Sequence, residues 1–243
     1  MRAVIVTGSA GGIGQALIEA FNSEGYFTIG LDQRPTLNAG ADLVVDLEAI
    51  ANLPQAGDSL HEEIERALKG HELHALINNA AVQILGPSEE LLLSGFRSSL
   101  DVNVTAAFRL TQLCLNLLER TNGTVVNIGS IHSRLTKGGF VAYATSKAAL
   151  EGMGRAMAVE YGNRLRVNTI RPAAIATDML KDGFTENQSR LIELAHFHPV
   201  ERIGEPTEVA RLAVFLCGKD ARFISGACID IDGAIGARLH DPS

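Results

Sequence analysis

Tryptophan is absent from this chain, aromatic residues make up 5% of it, and only three cysteines occur among 243 residues. Cys114, Cys217 and Cys228 are too few and too scattered for a disulfide framework or a zinc site, so no metal is expected. Basic charge is also short. With 21 Lys and Arg against 28 Asp and Glu, the formal net charge is −7. Such a surface suits neither nucleic acid nor an anionic membrane, whose phosphates require clustered Lys and Arg. No apolar run approaches the roughly 18–20 residues of a membrane span. Before the first glycine-rich turn, the only apolar stretch is Ala3–Val6, too short for the core of a secretory signal. The expectation is a soluble, cytoplasmic protein with no nucleic-acid or membrane partner.

What remains is aliphatic. Hydrophobic residues are 46% of the chain despite the scarcity of aromatics, so Ala, Val, Ile and Leu must build the core, as in a parallel sheet covered on both faces. Strand-like runs occur at Ala3–Val6, Thr28–Leu31, Asp42–Val45, Ala75–Ile77, Thr124–Ile128, Arg166–Ile170 and Ala227–Ile231. Segments with helical spacing lie between them, at Ile13–Ser23, Leu60–Lys69, Phe96–Glu119, Tyr143–Tyr161 and Pro206–Cys217. This alternation implies right-handed crossovers and a doubly wound, Rossmann-type parallel α/β sheet. No repeat or linker divides the chain, so residues 1–243 are expected to form one domain. The least regular stretch, about 177–205, is charged, carries His196 and His198, and is expected to be a substrate lid. The two histidines read as lid residues, because no matching ligand cluster accompanies them.

The first strand runs directly into Thr7-Gly8-Ser9-Ala10-Gly11-Gly12-Ile13-Gly14, and a helix follows. Glycines there let the backbone turn sharply and approach a pyrophosphate, while the helix start offers free N–H groups and a positive dipole end. The second strand ends at Asp32. A carboxylate in that place accepts hydrogen bonds from the adenosine ribose and repels a 2′-phosphate, which favours NAD(H) over NADP(H). Arg34, two residues on, partly offsets that repulsion.

The glycine turn is spaced TGxxxGxG. Downstream lie Asn78-Asn79-Ala80-Ala81 after a strand, Asn103 in a long helix, Ser130 after another strand, and Tyr143-Ala144-Thr145-Ser146-Lys147. In this order the motifs resemble the short-chain dehydrogenase/reductase family in its compact form, and the resemblance runs from the first strand to Asp232-Gly233. It implies a catalytic tetrad of Asn103, Ser130, Tyr143 and Lys147. Tyr143 and Lys147 stand at i and i+4, so they share a helix face. Bringing a tyrosine from a pKa of ~10 to near neutrality takes ~4 kcal/mol. One ammonium about 4 Å away supplies energy of that order. Tyr143 then acts as general acid/base. By resemblance, Ser130 orients the substrate oxygen, Lys147 also holds the nicotinamide ribose, and Asn103 holds a water that completes a proton relay through Lys147.

The same resemblance assigns cofactor contacts to Gly8, Ser9, Gly12, Ile13 and Gly14 of the turn, to Asp32, to Asp46 and Leu47 at the third strand, to Asn79, and to Tyr143 and Lys147. Pro172-Ala173-Ala174-Ile175-Ala176-Thr177 is similar to the family's PGxIxT stretch, in which Ile175 and Thr177 hold the carboxamide. Three alanines depart from the family's glycines: Ala81, Ala173 and Ala234. An added methyl resists positive φ, so loop geometry at these points is in question.

Gln83, Ser130, His132 and Tyr143 are the candidate substrate-binding residues. Gln and His both donate and accept hydrogen bonds, which suits a small hydroxylated or carboxylated substrate: a sugar, polyol or hydroxy acid. Gln83 with Ser130 and His132 resembles 3-hydroxybutyrate dehydrogenases, but Phe140 stands where those enzymes carry lysine. Ser130-Ile131-His132 with Phe140-Val141 resembles bacterial glucose dehydrogenases instead. His132 reads equally well as a histidine packed at the cleft rim. The resulting expectation is an NAD(H)-dependent oxidoreductase of secondary alcohols. The alternatives are an NADP(H)-dependent carbonyl or acyl-thioester reductase and a catalytically idle NAD-binding regulator. A sugar-nucleotide epimerase needs a larger C-terminal region than this length provides. Ala144, Ala148, Gly152 and Ala156 form a small-residue ridge suited to close helix packing, and by resemblance it implies a homotetramer or homodimer.

Overall fold

The computed structural model describes residues 1–178, 180, 184 and 188–239. Its seven strands are β1 (Arg2–Thr7), β2 (Phe27–Asp32), β3 (Ala41–Val44), β4 (Glu72–Asn78), β5 (Thr124–Ile128), β6 (Arg166–Pro172) and β7 (Cys228–Ile231). All pair in parallel, in the order β3-β2-β1-β4-β5-β6-β7. Ile5, for example, lies beside Ile29 on one side and Leu76 on the other. The strand order reverses between β1 and β4, which opens a crevice beyond the carboxyl ends of these two strands.

Side-chain alternation along each strand divides the core into two layers. Ala3 and Ile5 face Leu60, Leu110, Leu117 and Met157. Val4 and Val6 face Leu17, Phe21, Val209 and Leu216. The first layer is covered by α3 (Pro54–Ala67), α5 (Ala106–Glu119) and α6 (Val141–Tyr161), the second by α1 (Gly12–Ser23) and α8 (Pro206–Cys217). This is the single-domain, Rossmann-type doubly wound sheet that the alternation of runs predicts.

Several elements differ from the sequence reading. The expected helix Phe96–Glu119 begins earlier, as α4 (Leu93–Leu100), and passes through a π-helical turn at Asp101–Thr105 before α5. Asn103 lies in this turn, and its buried amide is bonded outside the helix, as detailed below. A short α2 (Leu47–Asn52), capped by Asp46, precedes α3. Within the expected lid, a helix α7 spans Gln188–Phe197. It has no clean apolar stripe, since Ile192 and Phe197 are exposed, and spacing alone therefore did not reveal it. Residues 179, 181–183 and 185–187 of that segment lie outside the described residues. Of the three alanine departures, only Ala234 has positive φ, at 68°; Ala81 and Ala173 fit their loops without that strain. Among the described residues, no helix is long and apolar enough to cross a membrane.

Candidate active site

Geometry at the end of β1 forces the glycines. Gly8 has φ +62°, and a Cβ there would lie 2.8 Å from Ala80 Cα. A Cβ on Gly14 would lie 2.0 Å from the Gly8 carbonyl oxygen, closer than any packing allows. Helix α1 therefore starts tight against the turn. Its N-cap, Gly11, supplies no side-chain cap, and its first turn carries no acidic residue, so the α1 start keeps the N–H groups and dipole end that an anion needs. Gly12 is exposed at this start, and its missing Cβ leaves room for Thr177, whose Cγ2 would be 3.1 Å away. Ile13 is half-buried behind the turn. Ser9 is fully buried, and its hydroxyl meets Thr36 Oγ1 at 2.6 Å, so its side chain faces inward and only its backbone belongs to the turn's surface.

Thr7 and Asn79 tie β1 to β4 across the crevice. The Thr7 hydroxyl oxygen accepts from the N–H groups of Asn79 and Ala80, each at 3.0 Å. The Asn79 side-chain amide donates to the carbonyls of Thr7 and Gly8 at 2.9 and 3.0 Å. Thr7 was not singled out in the sequence, although it is the first letter of the TGxxxGxG spacing. Asp32 stands at the end of β2, where one carboxylate oxygen accepts from Ala10 N at 3.1 Å and the other from Arg34 N at 3.0 Å. The Arg34 guanidinium lies 4.0 Å away and is largely exposed. Asp46 accepts from Glu48 N at 3.0 Å, and Leu47 is buried. Ile175 is buried and bridged to Gly204; its carbonyl oxygen accepts from Thr177 N at 2.7 Å. An uncapped helix start, a strand-end carboxylate and a threonine facing the glycine turn together form a donor and acceptor set that fits a dinucleotide.

Across the crevice, α6 presents Tyr143 and Lys147 toward the end of β5. Lys147 is 2% exposed, and its Nζ donates to Ile128 O at 2.8 Å and sits 5.7 Å from the centre of the Tyr143 ring. An ammonium has three N–H groups, so this single bond leaves donors for a ribose hydroxyl. Burial pushes Lys147 down to about 8. Burial also pushes the Tyr143 phenol above its ordinary value, while a hydrogen bond with Ser130 pulls it back. Desolvation of the phenolate is the larger of the two effects, and it favours the protonated phenol.

Asn103 sits in the π-helical turn. Its Oδ1 accepts from Val82 N at 2.8 Å, and its Nδ2 donates to Val82 O at 3.0 Å and to Ser146 Oγ at 2.9 Å. Ser146 in turn donates to Tyr143 O at 2.8 Å. The Asn103 side chain thus clamps the 79–92 loop onto α6. The side-chain amide is fully engaged there, with both its oxygen and its nitrogen bonded. π-Turns of this kind recur at functional sites. Neither Ser146 nor Val82 carried a sequence signal beyond adjacency to a motif residue.

His132 lies two residues past Ser130, in a short 3₁₀ turn (Ile131–Ser133) whose N-cap is Ser130. Its ring stacks on Phe140 at 4.3 Å, approaches Tyr143 edge-on at 5.8 Å, and places Nδ1 3.0 Å from Thr136 Oγ1. It is therefore both packed and adjacent to the tyrosine. Burial, with Lys137 nearby, pushes its pKa down to about 4, so the imidazole is neutral at pH 7. Gln83 is half-buried in the loop that Asn103 clamps. A separate cavity of about 440 Å³ is lined by His196, His198, Glu201, Ala234 and Arg238 and by none of the tetrad.

Known proteins resemble this chain along most of its length. The family model described as enoyl-(acyl carrier protein) reductase matches residues 8–235. Protein FixR of Bradyrhizobium diazoefficiens is 34% identical over 248 residues, covering 96% of this chain and 86% of FixR. D-Threitol dehydrogenase of Mycolicibacterium smegmatis is 30% identical, covering 96% and 92%. The ligand-free structure of Thermoplasma acidophilum aldohexose dehydrogenase superposes with a TM-score of 0.91 at 29% identity, covering 100% of this chain and 97% of that one. The chain belongs to the short-chain dehydrogenase/reductase family, as an oxidoreductase that binds a nicotinamide dinucleotide and acts between alcohol and carbonyl.

Proposed function

We propose that this protein is an NAD(H)-dependent dehydrogenase that interconverts a secondary alcohol and its carbonyl on a small polar substrate, with Tyr143 as general acid/base. The observation that carries the reading is the contact of Tyr143 with Ser130, beside the buried Lys147, at the carboxyl end of β5. The dinucleotide, when bound, supplies the hydride acceptor or donor. Ser130 holds the substrate oxygen, and the Tyr143 hydroxyl exchanges a proton with it. Burial favours the protonated phenol, so Tyr143 can give its proton to the oxygen in carbonyl reduction. For alcohol oxidation, Lys147 retains its proton below about pH 8 and favours the phenolate electrostatically. Gly8, Gly12, Gly14, Asp32, Thr177 and the start of α1 bind and orient the dinucleotide.

His132 and Gln83 give the substrate side neutral hydrogen-bonding groups. Similarity to a threitol and an aldohexose dehydrogenase by name supports a polyol or sugar. A hydroxy acid is the second reading, favoured by Lys137, whose ammonium lies 4.9 Å over the Phe140 ring that stacks on His132. For the cofactor, NADP(H) is the second reading, favoured by the exposed Arg34 beside Asp32. The ridge of Ala144, Ala148, Gly152 and Ala156 has no buried member, and a Cβ on Gly152 would meet nothing nearer than 4.0 Å. This open ridge supports a homotetramer or homodimer, and a monomeric mass by light scattering would refute it. We further propose a cytoplasmic location, and a substrate-lid role for the described part of residues 177–205.

The deciding experiment assays the protein and its Asp32→Asn variant with NAD and NADP on polyols, aldoses and hydroxy acids. The expected result is NAD preferred by about tenfold or more, with the ratio collapsing when the charge is removed. A preference for NADP that Asp32→Asn leaves unchanged overturns the cofactor assignment. Dinucleotide binding without turnover on any of these substrates supports the idle regulator instead.

A further inference from the structure

Helix α6 carries Tyr143, Lys147 and Glu151 at successive fourfold spacings, which places all three on one face. The first two belong to the reaction, while the third has no role in it so far. Glu151 is nevertheless 5% exposed, and a buried carboxylate is costly unless it is paired and hydrogen-bonded. Its partners are specific. Arg171 Nη1 lies 3.5 Å from one carboxylate oxygen and Arg155 Nη1 3.8 Å from the same oxygen. Arg171, itself buried, is held from the other side by Asp230, with Nε 2.7 Å from Oδ1 and Nη2 3.1 Å from Oδ2. The second oxygen of Glu151 accepts from the Ser133 hydroxyl.

Ser133 closes the turn that begins at Ser130. Its hydroxyl is 2.8 Å from the Ser130 carbonyl, and its N–H donates to the same carbonyl at 3.0 Å. One hydroxyl proton thus faces two acceptors, and an ionised carboxylate is the stronger of them. The turn spans only Ile131–Ser133, and its cap is the same Ser130 hydroxyl that meets Tyr143. So short a turn has few backbone bonds of its own, and its placement depends on an outside anchor. That anchor stands on the same rigid helix as Tyr143.

We propose that Glu151 is a positioning residue: held by Arg171, it anchors Ser133 and thereby fixes Ser130 and His132 in register with Tyr143. The inference rests on the assignment of Ser130 and Tyr143 to the reaction, and it adds a source for their alignment. Because the carbonyl of Ser130 carries no proton, the link transmits position and no proton.

The test uses the full chain with three changes: Ser133→Ala, Glu151→Ala and Glu151→Gln. Displacements of an ångström in a reacting group cost rate steeply, so Ser133→Ala and Glu151→Ala are expected to lower kcat by about tenfold or more while KM for the dinucleotide stays within about twofold. Combining the two should cost no more than Glu151→Ala alone, since both break one link. Glu151→Gln keeps an acceptor oxygen for Ser133 and should recover part of the loss. A readout free of turnover is the His132 imidazole titration followed by NMR. Loosening of the turn in Ser133→Ala should move it upward from about 4 toward 6.5. Unchanged kcat with an unchanged His132 titration overturns the proposal, as does a loss of rate that merely follows the fraction unfolded. If the wild-type protein turns over no alcohol or carbonyl, the dehydrogenase reading fails, and the NMR arm alone then decides whether Glu151 holds the turn.

Discussion

On the β1–β4 side of the crevice, the surface offered to a ligand is made of backbone N–H groups and of space left by missing side chains. On the β5–α6 side it is made of side chains whose protonation the fold has shifted. The first side works by shape: Gly8, Gly12 and Gly14 act through the absence of a Cβ, and Thr7 and Asn79 spend their polar atoms on holding two strand ends together. The second side works by chemistry. Tyr143 is pushed up, Lys147 is pushed down to about 8, and His132 is pushed down to about 4. The contrast follows from the tasks. A dinucleotide's phosphates need many weak donors in fixed directions, which backbone provides without titrating. A proton exchanged with substrate needs a group of tuned acidity, which only a side chain provides.

The contrast predicts that chemical changes on one side and volume changes on the other have distinct signatures. Tyr143→Phe removes one hydroxyl and no packing, so turnover should fall by about 10²–10⁴-fold while dinucleotide affinity and melting temperature hold. Steady-state kinetics with a binding titration checks this, and near-normal activity would break the division. Gly14→Ala does the opposite. It adds one methyl where the Gly8 carbonyl already stands, so it should cost roughly 1–3 kcal/mol of stability, the range for forced overpacking, and weaken dinucleotide binding along with it. Urea unfolding with and without dinucleotide reports both.

His132 offers a smaller, pH-dependent effect. Its folded pKa lies below the ordinary 6.5, so the unfolded chain binds more protons between those values and stability falls as pH drops from 6.5 toward about 4. His132→Phe keeps a ring for Phe140 to stack on and removes the titration. The stability difference between wild type and variant should therefore shift in favour of the variant across that window, and equal pH slopes would contradict the stacked, neutral imidazole. The smallest effect is expected at Ala234. At φ 68° it pays a left-handed strain of roughly 1–2 kcal/mol, against roughly 0.4–1 kcal/mol of chain entropy lost by a glycine. Ala234→Gly should thus stabilise by about 0.5 kcal/mol, a change that thermal melting resolves.

Legibility in the sequence divides along the same line. The glycine turn, Asp32, Ser130, Tyr143 and Lys147 could be read because each sits at a strand end or at i, i+4 on a helix, where short-range spacing dictates placement. The sheet was readable because fully buried strands leave continuous aliphatic runs. The setting of Asn103 was not, since the partners of its amide, Val82 and Ser146, are distant in the chain. Helix α7 was missed because its apolar residues do not form one stripe. Glu151 and Arg171 were passed over because a lone charged residue inside a helix or strand run looks like a surface residue until its partners are known.

By itself, then, the chain's aliphatic, aromatic-poor composition and its alternation of runs determined a doubly wound sheet, and its motifs fell at the strand ends that border the crevice. Tertiary structure decided the burial of Tyr143 and Lys147, and with it the direction in which their acidity is shifted. The physical reason is range: backbone turns and helix faces are set by neighbours within a few residues, whereas desolvation of Tyr143 and Lys147, and the pairing of Glu151 with Arg171, depend on elements that are distant in the chain.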